Sequence, residues 1–274
     1  MISPPAELSI IIPAFNEERR LPQTVEAIRG YLAARPMRAE VIIVDDGSTD
    51  GTAALVTSYH ERYPFVRLLS NGRNRGKGFS VRHGMREARS EFALFTDADL
   101  SAPIEEADKL LEALRNGGYD VAIGSRALDR RLIQVHQSAA RERAGMIFNF
   151  LVRCTTGLPF SDTQCGFKAF RRERASIIFE QQRSEGFGFD PEILFLARRH
   201  GLSVKEIPVR WSNDPASKVH VARDSMRMVA DLFTIRWDAW MGRYPVHAAR
   251  DNRRRERDIV VSPRERGGGS HDDA

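Results

Sequence analysis

The sequence predicts an α/β fold built on a mainly parallel, doubly wound sheet, followed by a smaller and less regular region. Three observations carry this prediction. Short apolar, β-branched runs alternate with helical periodicities through residues 1–125. Acidic and turn-forming residues stand at the carboxyl ends of three of those runs. The alternation then loosens after Ser125.

LSIII (Leu8–Ile12) and VIIV (Val41–Val44) have the composition of strands buried on both faces. Between them Leu21, Val25, Ile28 and Leu32 repeat at helical spacing, with Pro22 near the helix start. DDGSTDGT then supplies turn and cap residues ahead of Leu55, Val56 and Tyr59. Val66–Leu69, Phe92–Thr96 and Asp120–Gly124 read as three further strands. A helix rich in small and polar residues separates the first two of these, and a helix over Ile104–Leu114 separates the last two. In such sheets ligands bind outside the carboxyl ends of the strands, which places Pro13–Glu17, Asp45–Gly47 and Asp97–Asp99 along one rim.

Residues 126–243 are charged and irregular at first, then resolve into recognisable pieces. Ala144–Cys154 reads as an amphipathic helix and CGFKAF as a short strand. Asp190–Arg199 opens with Asp-Pro-Glu, a helix start, and VKEIPVRW reads as an edge strand containing Pro208. Ser225–Met241 carries Met226, Val229, Leu232, Phe233, Ile235, Trp237 and Trp240 among basic residues. Residues 244–274 form a charged tail, which from Arg250 reads as disordered.

Composition narrows the function classes. The chain has 274 residues, 42% hydrophobic and 29% charged, as in a folded soluble protein, and a formal charge of +5 compatible with anionic partners. Cys154 and Cys165 are its only cysteines, so a zinc cluster and a disulfide framework are both disfavoured. The first residues lack the basic start and long apolar stretch of a signal peptide, and no segment approaches the roughly 20 apolar residues of a membrane span. These features predict a cytoplasmic protein. The histidines form no spaced cluster and read as structural.

Four loops can carry chemistry. In FTDADLSAPIEE, Ser101 is placed to cap the next helix, Pro103 suits its first turn, and Glu105 and Glu106 favour its positive end. That account leaves Asp97 and Asp99 unexplained. Ionised carboxylates at a buried strand end call for a partner, and two of them can meet a hard cation together with a ribose. Asp-x-Asp is nevertheless common, and the pair alone does not decide. In VIIVDDGSTDGT, Ser48, Thr49 and Asp50 serve the following helix and leave Asp45 and Asp46 free to accept a base imide or ribose hydroxyl. In IIPAFNEERRLP, Phe15 can line a base pocket while Asn16 and Glu17 offer hydrogen bonds, unless this is simply a polar loop. In NGRNRGKGFS, Arg73, Arg75 and Lys77 stand near a helix start suited to a diphosphate. This loop matches neither an ATPase phosphate loop nor a dinucleotide fingerprint.

In order, SIIIPAFNEE, VIIVDDGSTDGT, NRGKG and FTDADLSAPIEE resemble the family 2 glycosyltransferases, inverting enzymes of the GT-A fold that use a nucleotide-sugar donor. The resemblance continues through IGSRA, FSDTQCGFKAF, GFGFDPEILF and VRWSNDPASKV, covering about Ser9 to Trp240, and these later segments look like the dolichyl-phosphate glucosyltransferases of the polyprenyl-phosphate branch. It implies that residues 1–125 are the nucleotide-sugar half and residues 126–243 the acceptor side of the same domain. Pro13, Ala14, Phe15, Asn16 and Glu17 would border the nucleoside, with Asp45 or Asp46 on its base or ribose. Asp97, Ala98 and Asp99 would meet the ribose and diphosphate, with Asp97 and Asp99 holding Mg²⁺ or Mn²⁺. Lys77 and Lys218 would stabilise the diphosphate, Arg126 and Arg141 would face the acceptor phosphate, and Asp190 and Glu192 would approach the sugar. Asp99, Asp190 and Arg126 are the expected catalytic residues.

The expected reaction moves glucose from UDP-glucose to a polyprenyl phosphate at the cytoplasmic membrane face. Mannosyl transfer from GDP-mannose and transfer to a soluble hydroxyl are the alternatives. Members of this branch often carry membrane-spanning anchors, absent here; Ala144–Cys154 and Ser225–Met241 are the candidate substitutes, lying in the lipid interface or else packed on the core. Nucleic acid is not an expected partner, since the basic tail lacks interleaved aromatics. A sugar nucleotidyltransferase is disfavoured by the lack of a glycine-rich basic loop after the first strand.

Overall fold

The computed structural model describes residues 6–213 and 221–246. The apolar runs become strands β1 (Leu8–Ala14), β2 (Ala39–Asp45), β3 (Val66–Ser70), β4 (Phe92–Phe95) and β5 (Val121–Ser125). Later segments supply β6 (Ile133–Val135), β7 (Lys168–Arg171), β8 (Val204–Pro208) and β9 (Trp211–Ser212). Seven of these make one sheet in the order β3-β2-β1-β4-β7-β5-β8, while β6 and β9 pair separately. All neighbours in the large sheet are parallel except β7, which runs antiparallel to both β4 and β5. The sheet is mainly parallel, as expected, with β7 its one reversed strand, and the strand read in CGFKAF begins only at Lys168.

The helices are α1 (Leu21–Ala33), α2 (Thr52–Arg62), α3 (Lys77–Glu87), α4 (Ala107–Arg115), α5 (Ala139–Thr156), α6 (Arg172–Gln181), α7 (Phe189–Arg199) and α8 (Val221–Trp240). Successive strand residues serve opposite faces. Ile10, Ile12, Val41 and Ile43 pack with α1, α2 and α4, whereas Ile11, Ile42 and Val44 pack with α3, α6 and α7. Burying a side chain of this size contributes about 1.5–3 kcal/mol, so the strands are held from both sides and their ends make a stable rim.

One expectation about the helix after FTDADLSAP needs correcting. Ile104–Glu106 is a 3₁₀ turn entered from Pro103, and Ser101 does not cap it; its N–H instead donates to Asp99 Oδ1 at 2.9 Å. Glu105 and Glu106 do stand in its first turn, and Glu106 has a further task. It is buried and bonds Lys109 at 2.6 Å and Arg210 at 2.5 Å, tying α4 to the segment after β8. The helix expected at Ala144–Cys154 starts earlier, because Ser138 caps it through the Arg141 N–H, and it packs against α8. VKEIPVRW divides: β8 is the sheet edge, ending at Pro208, and Trp211 belongs to β9. Among the described residues no helix is long and apolar enough to cross a membrane.

Candidate active site

The carboxyl ends of β1, β2, β4 and β5 share one rim, and the reversed β7 brings the residues preceding it onto the same rim. Ala14 pairs with Asp45 and Phe95 with Lys168. Two residues beyond that second pair, Asp97 comes level with Gly166.

The first two loops are sewn together. Asn16 has a left-handed backbone (φ 56°), which asparagine tolerates. Its N–H donates to Ser48 Oγ at 2.9 Å, and its Oδ1 accepts the Thr49 N–H at 2.8 Å. The Glu17 N–H donates to Thr52 Oγ1, and the Glu17 carboxylate pairs with Arg20. Pro13 and Ala14 end β1 within this seam, while Phe15 is 37% exposed above it. The aspartates of the second loop are not free as expected. Asp45 accepts the Ser48 N–H at 3.1 Å. Asp46 accepts Asn71 Nδ2 at 2.8 Å and the amides of Arg75 and Gly76 at 2.9 and 2.8 Å, so it shapes the loop ahead of Lys77. A carboxylate with three such donors is committed to the protein, which leaves Asp45 as the better placed of the two for a nucleoside.

Asp97 forms an ion pair with Lys77, and Asp99 lies 3.9 Å from Arg20. Burial, reinforced by the neighbouring Asp97, pushes the Asp99 carboxyl up. Burial works to lower the Lys77 pKa, but Asp97 and Asp190 outweigh it, so the ammonium is held charged. Ala98 is buried, and its carbonyl accepts from Thr24 at 2.5 Å. Asp97 and Asp99 are hard oxygen donors on one turn, which suits Mg²⁺ or Mn²⁺. Among the described residues no group of three or more His, Cys, Asp or Glu could hold an ion. Two carboxylates completed by phosphate oxygens fit such an ion; a self-sufficient protein cage does not.

Beneath this pair Lys168, fully buried, forms an ion pair with Asp190 and donates to the Cys165 carbonyl at 2.6 Å. Burial pushes the Asp190 carboxyl up against the pull of Lys168 and Lys77, and pushes the Cys165 thiol up to about 12. Glu192, expected beside the sugar, is turned elsewhere. Two residues along a helix point to different sides, and its carboxylate accepts the amides of Arg183 and Ser184 and the Tyr244 hydroxyl.

On the other side of β7, Arg126 forms a two-pronged pair with Asp162, at 2.6 and 2.9 Å. Burial opposes both charges, yet Arg126 holds the Asp162 carboxyl down to about 2. This pair borders a cavity of about 270 Å³ that also takes in Arg130, Arg141, Arg153, Glu142 and Gln164. Its apolar wall includes Met146, Phe150 and Trp211. Arg126 and Arg141, 15 positions apart, thus line one cavity. Arg130, Arg153 and Asp162 were not singled out in the sequence, although Arg141, Gly145, Asn149 and Arg153 recur every four residues, a spacing that marks one helix face. Lys218 lies outside the described residues.

Comparisons with known proteins agree with this geometry. The profile of Glycosyl transferase family 2 matches residues 9–177. A dolichyl-phosphate beta-glucosyltransferase of Homo sapiens is 36% identical over 248 residues, 85% of this chain and 76% of that protein. That of Saccharomyces cerevisiae is 35% identical over 90% of this chain and 78% of its own length. One from Trichomonas vaginalis is 34% identical over 85% and 73%. Among solved structures, glucosyl-3-phosphoglycerate synthase from Mycobacterium tuberculosis in complex with Mn²⁺, UDP and phosphoglyceric acid superposes with a TM-score of 0.61. It is 17% identical and covers 89% of this chain and 80% of its own. The same enzyme with Mg²⁺ and UDP gives 0.62, over 84% and 79%. At that identity the likeness establishes the shared fold.

Proposed function

The chain belongs to glycosyl transferase family 2 and is a glycosyltransferase, and from that premise we propose that it transfers glucose from UDP-glucose to a dolichyl-type polyprenyl phosphate at a membrane surface. The observation that carries the acceptor is the arginine-lined cavity. Its four arginines against Asp162 and Glu142 leave an excess of two positive charges, which matches a phosphate monoester dianion. Met146 and Phe150 line the cavity and are also 56% and 64% exposed, so its apolar wall runs out onto the surface of α5. A phosphate head with an apolar tail fits that continuity better than a small polar acid. The names of the relatives point the same way.

The residues suit a single displacement. An acceptor phosphate oxygen attacks the anomeric carbon from the face opposite the leaving group, the bond from that carbon to the diphosphate breaks, and configuration inverts. The nucleophile is already ionised, since the second phosphate pKa is about 6. Arg126 and Arg141 then have only to position it. A hydroxyl acceptor would need a base, yet Asp190 is committed to Lys168 and Glu192 to three donors, which favours the phosphate. Lys77 donates to the departing diphosphate. Asp97 and Asp99 would hold a divalent ion, which would supply further charge neutralisation there. Asp45, Asn16 and Glu17 border the nucleoside.

The test incubates the full chain with Mg²⁺ or Mn²⁺, labelled UDP-glucose or GDP-mannose, and polyprenyl phosphate. Label in the organic phase with UDP-glucose is expected. Label only with GDP-mannose would reassign the sugar, and none with either donor would sink the lipid-phosphate reading.

Two further results are expected. A Cβ on Gly166 would come within 2.1 Å of Asp97 Oδ2, so Gly166→Ala moves that carboxylate and should lower transfer about a hundredfold, with the melting temperature little changed. The second concerns the surface. Phe233, Trp237 and Trp240 on α8 are 63%, 55% and 75% exposed, with Met146, Ile147 and Phe150 exposed on the adjoining α5. Arg143, Arg153 and Arg236 are exposed on the same helices, a composition suited to an anionic lipid interface. The Trp237→Ala/Trp240→Ala variant should lose co-sedimentation with vesicles containing phosphatidylserine yet still use a short-chain, water-soluble polyprenyl phosphate.

A further inference from the structure

The geometry points to Tyr244 as a positioning residue that fixes Lys77 indirectly, acting through Glu192 and the 183–186 segment. The inference rests on the reading of Lys77 as a donor-phosphate ligand.

After α8 the chain turns at Gly242 (φ 70°) and returns Tyr244 to the interior, where it is 1% exposed. Its ring packs near Phe195, and its hydroxyl donates to Glu192 Oε1 at 2.7 Å. The same oxygen accepts the Arg183 N–H at 2.7 Å, and Oε2 accepts the Ser184 N–H at 2.8 Å. Asp238, near the end of α8, adds a grip on the Arg183 side chain at 3.0 Å. A buried carboxylate is costly unless it is fully bonded. Here its bonds converge on the two residues that lead into one loop.

That loop lies flat on the first turn of α3. The Phe79 N–H donates to the Glu185 carbonyl at 3.1 Å, and Gln182 Nε2 joins the carbonyls of Gly78 and Ser184 at 2.8 and 3.0 Å. A Cβ at Gly76 would meet Glu185 O at 2.4 Å, and one at Gly78 would meet Ser184 O at 2.6 Å. Only glycine permits this approach, and the two glycines bracket Lys77. The backbone carrying the Lys77 ammonium toward Asp97 is therefore pressed into place by a segment that Glu192 holds and Tyr244 completes. Tyr244 acts on Lys77 only through Glu192 and this backbone.

The test compares wild type, Tyr244→Phe, Glu192→Gln and Lys77→Ala by amide hydrogen exchange, melting temperature and calorimetric titration with UDP and Mn²⁺. Tyr244→Phe should speed exchange in both 183–186 and 76–79 and weaken UDP binding about tenfold, the worth of one hydrogen bond to a charged group. The acceptor KM should stay unchanged. In a Lys77→Ala background, Tyr244→Phe should weaken UDP no further, the signature of coupling in a double-mutant cycle. Glu192→Gln, which keeps the volume but loses one acceptor, should reproduce the pattern should the tyrosine variant fold poorly. Faster exchange confined to 183–186, or equal weakening of UDP with and without Lys77, would overturn the inference. A wild type that binds no UDP would instead overturn the donor assignment, and the exchange result separates the two failures because it needs no ligand.

Discussion

Replacing Asp99 with alanine is expected to abolish transfer, by about a thousandfold or more in kcat, while the protein still folds. Asp99 has one observed and one proposed task, which this change mixes: it accepts the Ser101 N–H at 2.9 Å, and in the proposed reading it offers carboxylate, with Asp97, to the diphosphate end of the donor. The first task stabilises the turn by about 1 kcal/mol, the typical net worth of such a bond. Asp99→Asn separates the two. The amide oxygen still accepts from Ser101, so the melting temperature should match wild type, but the charge is gone and transfer should remain lost. An asparagine variant retaining more than a tenth of wild-type kcat would show that the carboxylate is there only to make the turn. Mn²⁺ binding in the presence of UDP, followed by electron paramagnetic resonance, should weaken in parallel with the loss of activity.

The second large effect is expected at Arg126. Arg126→Lys keeps the charge but cannot make both bonds to Asp162, because an ammonium has no fork. The acceptor KM should rise about tenfold or more, the donor KM should hold, and kcat should fall less than KM rises. Arg126→Ala should be worse in two separable ways. It removes the proposed donor to the acceptor phosphate, and it leaves Asp162 buried without its partner, a defect worth roughly 3–5 kcal/mol of stability. Adding Asp162→Asn should restore the melting temperature without restoring the acceptor KM. A double variant that recovers both would place Arg126 in the scaffold and outside the acceptor site.

The rim was legible because its cause is local. Apolar β-branched runs such as Ile10–Ile12 and Val41–Val44 make strands wherever they are placed, and the residues that follow them must stand at strand ends. Pro13–Glu17, Asp45–Asp46 and Asp97–Asp99 could be placed by counting. What those residues bond to could not be. Asp46 is spent on Asn71, Arg75 and Gly76, which lie 25–30 positions away, and nothing in DDGSTDGT reveals the loop it serves. The reversal of β7 was hidden for the same reason. Lys168 stands in the otherwise uncharged run CGFKAF, and its partner Asp190 is 22 residues further on. A lone charge inside such a run was a usable sign of a buried ion pair; its direction in the sheet was not encoded locally. Ser101 misled because serine before a proline-led helix usually caps, whereas here the neighbouring aspartate captured its amide first.

The reversed strand has a consequence for how such a molecule can be altered. The chain leaves the rim at Ser125, and Gly166, which leads into β7, lies on the same rim as Asp97. Everything from Arg126 to Phe167 is thus an excursion that starts and finishes at one edge. It contributes no strand to the large sheet, and it supplies Arg126, Arg130, Arg141, Arg153 and Asp162 to the arginine-lined cavity. The segment has the layout of an insertion whose ends are fixed by β5 and β7, and any exchange of its interior would have to keep β6 paired with β9 and α5 packed on α8.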